Sequence, residues 1–203
     1  MSFKVTYTVH ASRAERWIRE VMENFLDGAP IKCAGLDYEF NDAVKNIVHA
    51  NDVPETLHEF LNENSINFCG AAIDNDIDKM DYYNIDIPKA IDLQQVILNP
   101  TAKPLASMYD MANAYIGTNL SKKDPEIAAL RCDGWADFPL QFNEIKYADV
   151  DARLSFGLVR RCWQLQVYNS HLDRLNVVLD GVQEMFFVDV MVNPNCNEVI
   201  YII

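Results

Sequence analysis

What most constrains the fold is an alternation along the chain. Short apolar runs that close on glycine or aspartate are separated by segments whose apolar residues recur at helical intervals. Ile31-Lys32-Cys33-Ala34-Gly35-Leu36 runs into Asp37-Tyr38-Glu39-Phe40, Ile66–Ile73 is followed by Asp74-Asn75-Asp76, and Ala90–Leu93 forms a third run. Pro54 suits the first turn of a helix carrying Leu57, Phe60 and Leu61. Asp74-Asn75-Asp76 opens a short helix, and Leu105, Met108, Ala112 and Tyr115 mark another, stopped by Gly117. From about Gln141 to Val167 the pattern is helical again, with Phe142, Ile145, Ala148, Ala152, Phe156 and Val159 facing inward. Strands alternating with helices predict an α/β layered fold.

The flanks extend this plan. Residues 3–9 alternate apolar and polar side chains like a strand and lack the apolar core of a signal peptide. Ser12-Arg13-Ala14-Glu15 has capping-box spacing ahead of Trp17, Ile18, Val21, Met22 and Phe25. That helix should end at Asp27-Gly28-Ala29-Pro30. Between Glu39 and Pro54 there is room for one short strand around Val44–Val48, but hardly for a full hairpin. Leu175–Leu179, Met185–Val192 and Val199–Ile203 are β-like, the last two joined by a turn at Asn193-Pro194-Asn195. No linker divides the chain, so one domain is expected over residues 1–203. Its core spans about 31–170, flanked by an N-terminal strand and helix (1–30) and a C-terminal β extension (172–203).

Charge and cysteine usage narrow the function classes. Thirty acidic residues against 17 basic ones give a formal net charge of −13, which argues against gripping nucleic acid by bulk electrostatics. No apolar run approaches the ~18 residues that span a bilayer, so no membrane partner is expected. The five cysteines, Cys33, Cys69, Cys132, Cys162 and Cys196, form no CxxC pair, and an odd count resists a closed disulfide framework. Cys33 and Cys69 lie in apolar runs and read as small buried hydrophobes. A reducing compartment follows, cytoplasm and/or nucleus. His10, His49, His58 and His171 are too scattered to suggest zinc.

Three acidic islands lie where regular elements would aim them. Asp37 and Glu39 are i, i+2 on a strand and project from one face. Asp76 stands at a helix start just past a second strand. Tyr147 and Asp151 are i, i+4 on a helix and share its face. Carboxylate oxygens are the ligands that Mg²⁺ and Mn²⁺ prefer, and carboxylates gathered on adjacent elements suit a two-metal site that cleaves phosphodiesters. Among 30 acidic residues such pairs also arise by chance, and a solvated charged face is the alternative reading of each pair taken alone.

In order and spacing these islands resemble the DEDDy 3′–5′ exonucleases of the RNase H-like superfamily, with most likeness to the plant single-domain proteins akin to the Werner-syndrome exonuclease domain. Asp37-Tyr38-Glu39, preceded by Ala34-Gly35-Leu36, looks like the first exonuclease motif. Phe68-Cys69-Gly70-Ala71-Ala72-Ile73-Asp74-Asn75-Asp76, continued by Lys79 and Met80, resembles the second. Tyr147-Ala148-Asp149-Val150-Asp151-Ala152 is similar to the third. Ala90-Ile91-Asp92-Leu93 and Ser107–Ala112 fit the strand and helix between them. The resemblance runs from about Ile31 to Trp163.

It implies a three-layer α/β fold around a central mixed sheet and a metal-dependent hydrolase that shortens single-stranded RNA or DNA from its 3′ end. The family's roles would make Asp37, Glu39, Asp76, Tyr147 and Asp151 the catalytic set, with two Mg²⁺ or Mn²⁺ ions as cofactors. Asp37 would bridge the ions, Glu39 and Asp151 would complete the shell of the first, and Asp76 would hold the second. Tyr147 would orient the attacking water. Asp74 and Asp149 receive no ligand role, and Asp92 reads as structural or solvated. Lys122, Lys123, Arg131, Lys146 and Arg153 could meet the nucleic-acid backbone. Two divalent ions would bring the formal charge from −13 to −9, which leaves room for brief handling of a short 3′ end.

The match breaks at one place. The family's β-hairpin after the first motif is largely missing before His49-Ala50-Asn51-Asp52-Val53-Pro54. That loss would leave the Asp37 strand near an open sheet edge, a template for pairing that Val44–Val48, the terminal strands or a second subunit would cover. It motivates an alternative function: a catalytically weak or inactive relative that acts as an oligomerising or nucleic-acid-binding scaffold.

Overall fold

The computed structural model describes residues 8, 10–39, 53–121, 135 and 140–163. The strands expected at 3–9 (apart from Thr8), at 44–48 and in the C-terminal extension, with Phe40, Lys122, Lys123 and Arg131, lie outside the described residues.

Three strands form a parallel sheet in the order β1 (Lys32–Gly35), β2 (Ile66–Gly70), β3 (Ala90–Asp92). The register sets Lys32 opposite Ile66, Gly35 opposite Cys69, and Gly70 opposite Asp92. A parallel pair needs a crossover, and here α2 (Glu55–Leu61) and α3 (Asp74–Met80) supply the two crossovers. Strand alternation then sorts the side chains into two layers. Ile66 and Phe68 join Leu36 and meet Ile18 of α1 (Ala11–Val21), Phe60 and Leu61 of α2, and Ile73 and Met80 at α3. Cys33 and Cys69 point to the other side. There they meet Leu93 at the start of α4 (Leu93–Val96), Met111 and Ala112 of α5 (Met108–Tyr115), and Leu154, Leu158 and Val159 of α6 (Phe142–Cys162). The result is helix, sheet, helix, the three layers expected.

The expected mixed sheet is all-parallel among the described strands. The first strand ends at Gly35, so Asp37 and Glu39 lie in an extension beyond it rather than inside it. Pro54 is the cap before α2, one residue short of its first turn. Helix α1 starts at Ala11 with His10 at its cap, and no side chain caps it. Ser12 therefore lies inside the helix, and the capping-box reading fails. A π-helical turn at Met22–Leu26 carries α1 onward. Its wider ring rotates the apolar face, so that Leu26 is buried while Phe25 is exposed. Phe142, expected inward, is 50% exposed because it is the first residue of α6 and overhangs its end. Cys33 and Cys69 are buried free thiols, as expected, and burial pushes the Cys33 thiol up to about 11. Among the described residues no helix is long and apolar enough to cross a membrane.

Candidate metal centre

Strand parity aims the first two carboxylates. Cys33 faces α6, and stepping by two carries Gly35, Asp37 and Glu39 toward that side, whereas Leu36 and Tyr38 pack with the opposite layer. Tyr38 is hydrogen-bonded to Tyr83, and burial raises its hydroxyl well above the ordinary tyrosine value.

Two glycines set how closely the carrying elements approach. A Cβ on Gly35 would lie 2.0 Å from the Ala152 carbonyl oxygen, so α6 presses directly onto the end of β1. This seats Asp151, the preceding residue, beside Asp37. A Cβ on Gly70 would lie 2.7 Å from the Leu36 carbonyl oxygen, where the chain leaves β1 toward Asp37. The Leu36 N–H still donates to the Cys69 carbonyl at 2.9 Å, holding that exit against β2. Only a residue without a side chain fits at either point.

These approaches gather Asp37, Glu39 and Asp151, each offering one oxygen, with all three atoms within 4.8 Å of one another. The charges conflict there. Burial first, then Asp37, Asp151 and Asp76 push the Glu39 carboxyl far above the usual range, and it shares a hydrogen bond with Asp37. Asp76, buried at the start of α3, is raised to about 8, by burial first and then by Asp37 and Asp92. Asp76 thus shares the field of the cluster without belonging to the group of three. Clustered carboxylates that resist ionising are the signature of a site built for positive charge. All the donors are hard oxygens, so the set fits Mg²⁺ or Mn²⁺ better than zinc or copper.

Tyr147 lies one turn before Asp151 on α6. Its ring packs against Trp135, with centroids 6.0 Å apart and planes tilted by 54°. Sequence reasoning does not single out Trp135, which stands among charged residues; its bulk is the one available signal. Asp149 forms an ion pair with Arg153 at 2.8 Å, with both side chains largely covered. Burial outweighs that pairing, so the Asp149 carboxyl is raised and the Arg153 guanidinium lowered. Arg153 is therefore engaged with a carboxylate rather than held out for phosphate. Asp74 is exposed. Asp92 is tied into the backbone rather than solvated: its Oδ1 accepts from the Ala72 N–H at 3.0 Å and from the Gln94 N–H at 2.9 Å.

A three-layer α/β protein with acidic groups collected beyond the C-terminal ends of parallel strands belongs, by fold and site, among those whose chemistry is done at that rim. The family model for 3′–5′ exonucleases matches residues 35–164, nearly two thirds of the sequence, and the chain belongs to that family. The RNase H-like fold of such exonucleases is the one observed.

Among solved structures, the chain is similar to the EXD2 exonuclease domain soaked in Mn and GMP. It is 19% identical to that domain, with 88% of this chain and 96% of that one covered and a TM-score of 0.35. It is likewise similar to the domain soaked in Mg and GMP (19%, 88% and 98%, 0.34) and to the domain soaked in Mn (19%, 90% and 99%, 0.36). None of the curated proteins matches it.

Proposed function

We propose that the chain is a metal-dependent hydrolase that removes nucleotides from the 3′ end of short single-stranded RNA or DNA, with Asp37, Glu39, Asp76, Tyr147 and Asp151 as its DEDDy set. The observation that carries this reading is the trio Asp37, Glu39 and Asp151, with oxygens within 4.8 Å, in a chain of the 3′–5′ exonuclease family. The trio would hold one Mg²⁺ or Mn²⁺, with Asp76 the residue for a second. When bound, such ions supply Lewis acidity to the scissile phosphate and neutralise charge on the departing oxygen.

The residues divide the remaining work. Glu39 and Asp76 hold protons in the metal-free site because burial and neighbouring carboxylates disfavour their anions, and they give those protons up on loading. The Tyr147 hydroxyl orients the attacking water, and Trp135 steadies its ring. With a strongly acidic surface, affinity for the nucleic-acid backbone is modest and falls with salt. Cytoplasm or nucleus suits the two buried free thiols.

The test is a 5′-labelled single-stranded oligonucleotide incubated with the protein in Mg²⁺ or Mn²⁺, beside Asp37→Ala and Asp151→Ala. A 3′-shortening ladder lost in both variants supports the reading. Absence of a ladder in either metal overturns it, and oligonucleotide binding that persists without a ladder favours the scaffold.

A further inference from the structure

A half-buried aspartate outside the three acidic motifs, Asp92, is hydrogen-bonded to a turn inside the second of them. Ala72, between β2 and α3, has φ +60°, and among the described residues only Asn84 (φ +56°) joins it as a non-glycine residue in left-handed backbone. Alanine gains nothing there from its side chain, so the conformation must be held from outside. Asp92 holds it. At the end of β3, opposite Gly70, its Oδ1 accepts at once from the Ala72 N–H and from the Gln94 N–H in the first turn of α4, while Oδ2 accepts from Gln95 Nε2 at 3.3 Å.

The turn leads straight to Asp76. The Ala72 carbonyl accepts from the Asn75 N–H, and the Ile73 carbonyl accepts from the Asp76 N–H, each at 3.0 Å. The same spot carries the other half of the site, because Gly70 lies against the Leu36 carbonyl just ahead of Asp37. We infer that Asp92 is a positioning residue, which locks the Ala72 turn and so sets where the Asp76 carboxylate stands relative to Asp37. The inference rests on the exonuclease reading above, since Asp76 matters to function only through the divalent cation it helps to hold. Hydrogen bonds made directly to metal ligands govern affinity by about 10–100-fold, and Asp92 acts one step further out, through the Ala72 backbone.

The experiment is a double-mutant cycle on the full chain, read by calorimetric Mn²⁺ titration and by hydrogen exchange at the Ala72 amide. Asp92→Ala should weaken Mn²⁺ binding by about tenfold or more and speed Ala72 exchange to a similar degree. Asp92→Asn, which keeps the Oδ1 acceptor, should restore most of both. In an Asp76→Ala background, Asp92→Ala should cost no further Mn²⁺ affinity, because the residue it positions is already gone.

Equal losses in both backgrounds would mean a merely structural role and overturn the inference, as would unchanged Ala72 exchange in Asp92→Ala. Should Asp92→Ala fail to fold, Asp92→Glu displaces the acceptor while keeping the charge and should show the same background-dependent loss. If the wild-type protein takes up no Mn²⁺, the metal reading falls, and Ala72 exchange alone decides whether Asp92 holds the turn.

Discussion

Gly35→Ala is the most exacting perturbation of this architecture, because it adds one methyl group and touches no carboxylate. The new Cβ would lie 2.0 Å from the Ala152 carbonyl oxygen, 3.0 Å from its carbon and 3.1 Å from the Phe156 nitrogen. All three are backbone atoms in the middle of α6, so no rotamer change relieves the clash. Moving the oxygen to the 3.0 Å below which real Cβ contacts essentially never fall requires a displacement of about 1 Å. Asp151 rides on the same turn, one residue before Ala152. Bound-ion distances tolerate about 0.2 Å, and a misplacement of about 1 Å can cost 10²-fold in rate. Overpacking of this kind also costs about 1–3 kcal/mol of stability.

The assays are exonuclease rate, Mn²⁺ affinity and thermal melting, with Gly28→Ala as the control because nothing lies within 4 Å of its added Cβ. The expected result is a folded but less stable Gly35→Ala protein with at least about 10²-fold lower rate and weakened Mn²⁺ binding, beside a Gly28→Ala protein close to wild type. Wild-type Mn²⁺ affinity and rate in Gly35→Ala would refute the claim that close packing of α6 on β1 builds the site.

Three further outcomes are expected. Tyr147→Phe keeps the ring against Trp135 and should lower the rate by about 10²-fold while leaving Mn²⁺ affinity and melting unchanged. Arg153→Ala strands the Asp149 carboxylate and should destabilise the fold by about 1–3 kcal/mol in chemical denaturation, with Mn²⁺ affinity retained. Asp76 is raised from 3.8 to about 8 in the fold, and Glu39 is raised in the same direction. The folded state therefore binds more protons than the unfolded chain across that window, and their stabilising contribution, full below about pH 4, is lost as pH climbs through about 8. Melting in EDTA should accordingly fall from acid to mildly alkaline pH, and the gain from added Mn²⁺ should be larger at pH 8 than at pH 5.

The α/β plan was legible because parallel strands buried on both faces leave continuous apolar runs, and Ile66–Gly70 and Ala90–Asp92 stand where such runs predict them. Spacing alone carried Asp37 and Glu39 to one side and Tyr147 and Asp151 to one helix face. The meeting of Asp37 and Glu39 with Asp151 was implied by the family resemblance but not by spacing, since it depends on Gly35 and Gly70 admitting backbone where a Cβ would stand. Glycine in a strand signals close approach but does not name the element that approaches. The role of Asp92 was hidden for a related reason: its partner Ala72 is twenty residues away, and nothing in an Ala-Ala pair announces a left-handed turn. Helix starts proved the least legible, as His10 displaced Ser12 at the head of α1 without any capping side chain.

As proposed, Asp37, Glu39 and Asp151 hold a divalent cation in a site kept partly protonated until it is loaded. Mn²⁺ titration by calorimetry near neutral pH, repeated in two buffers of different ionisation enthalpy, measures binding and proton release together. Saturable binding is expected, lost in Asp151→Ala, with about one or more protons released per protein because Glu39 and Asp76 both carry raised pKa values. Absence of Mn²⁺ binding, or binding that survives Asp151→Ala without proton release, would contradict it.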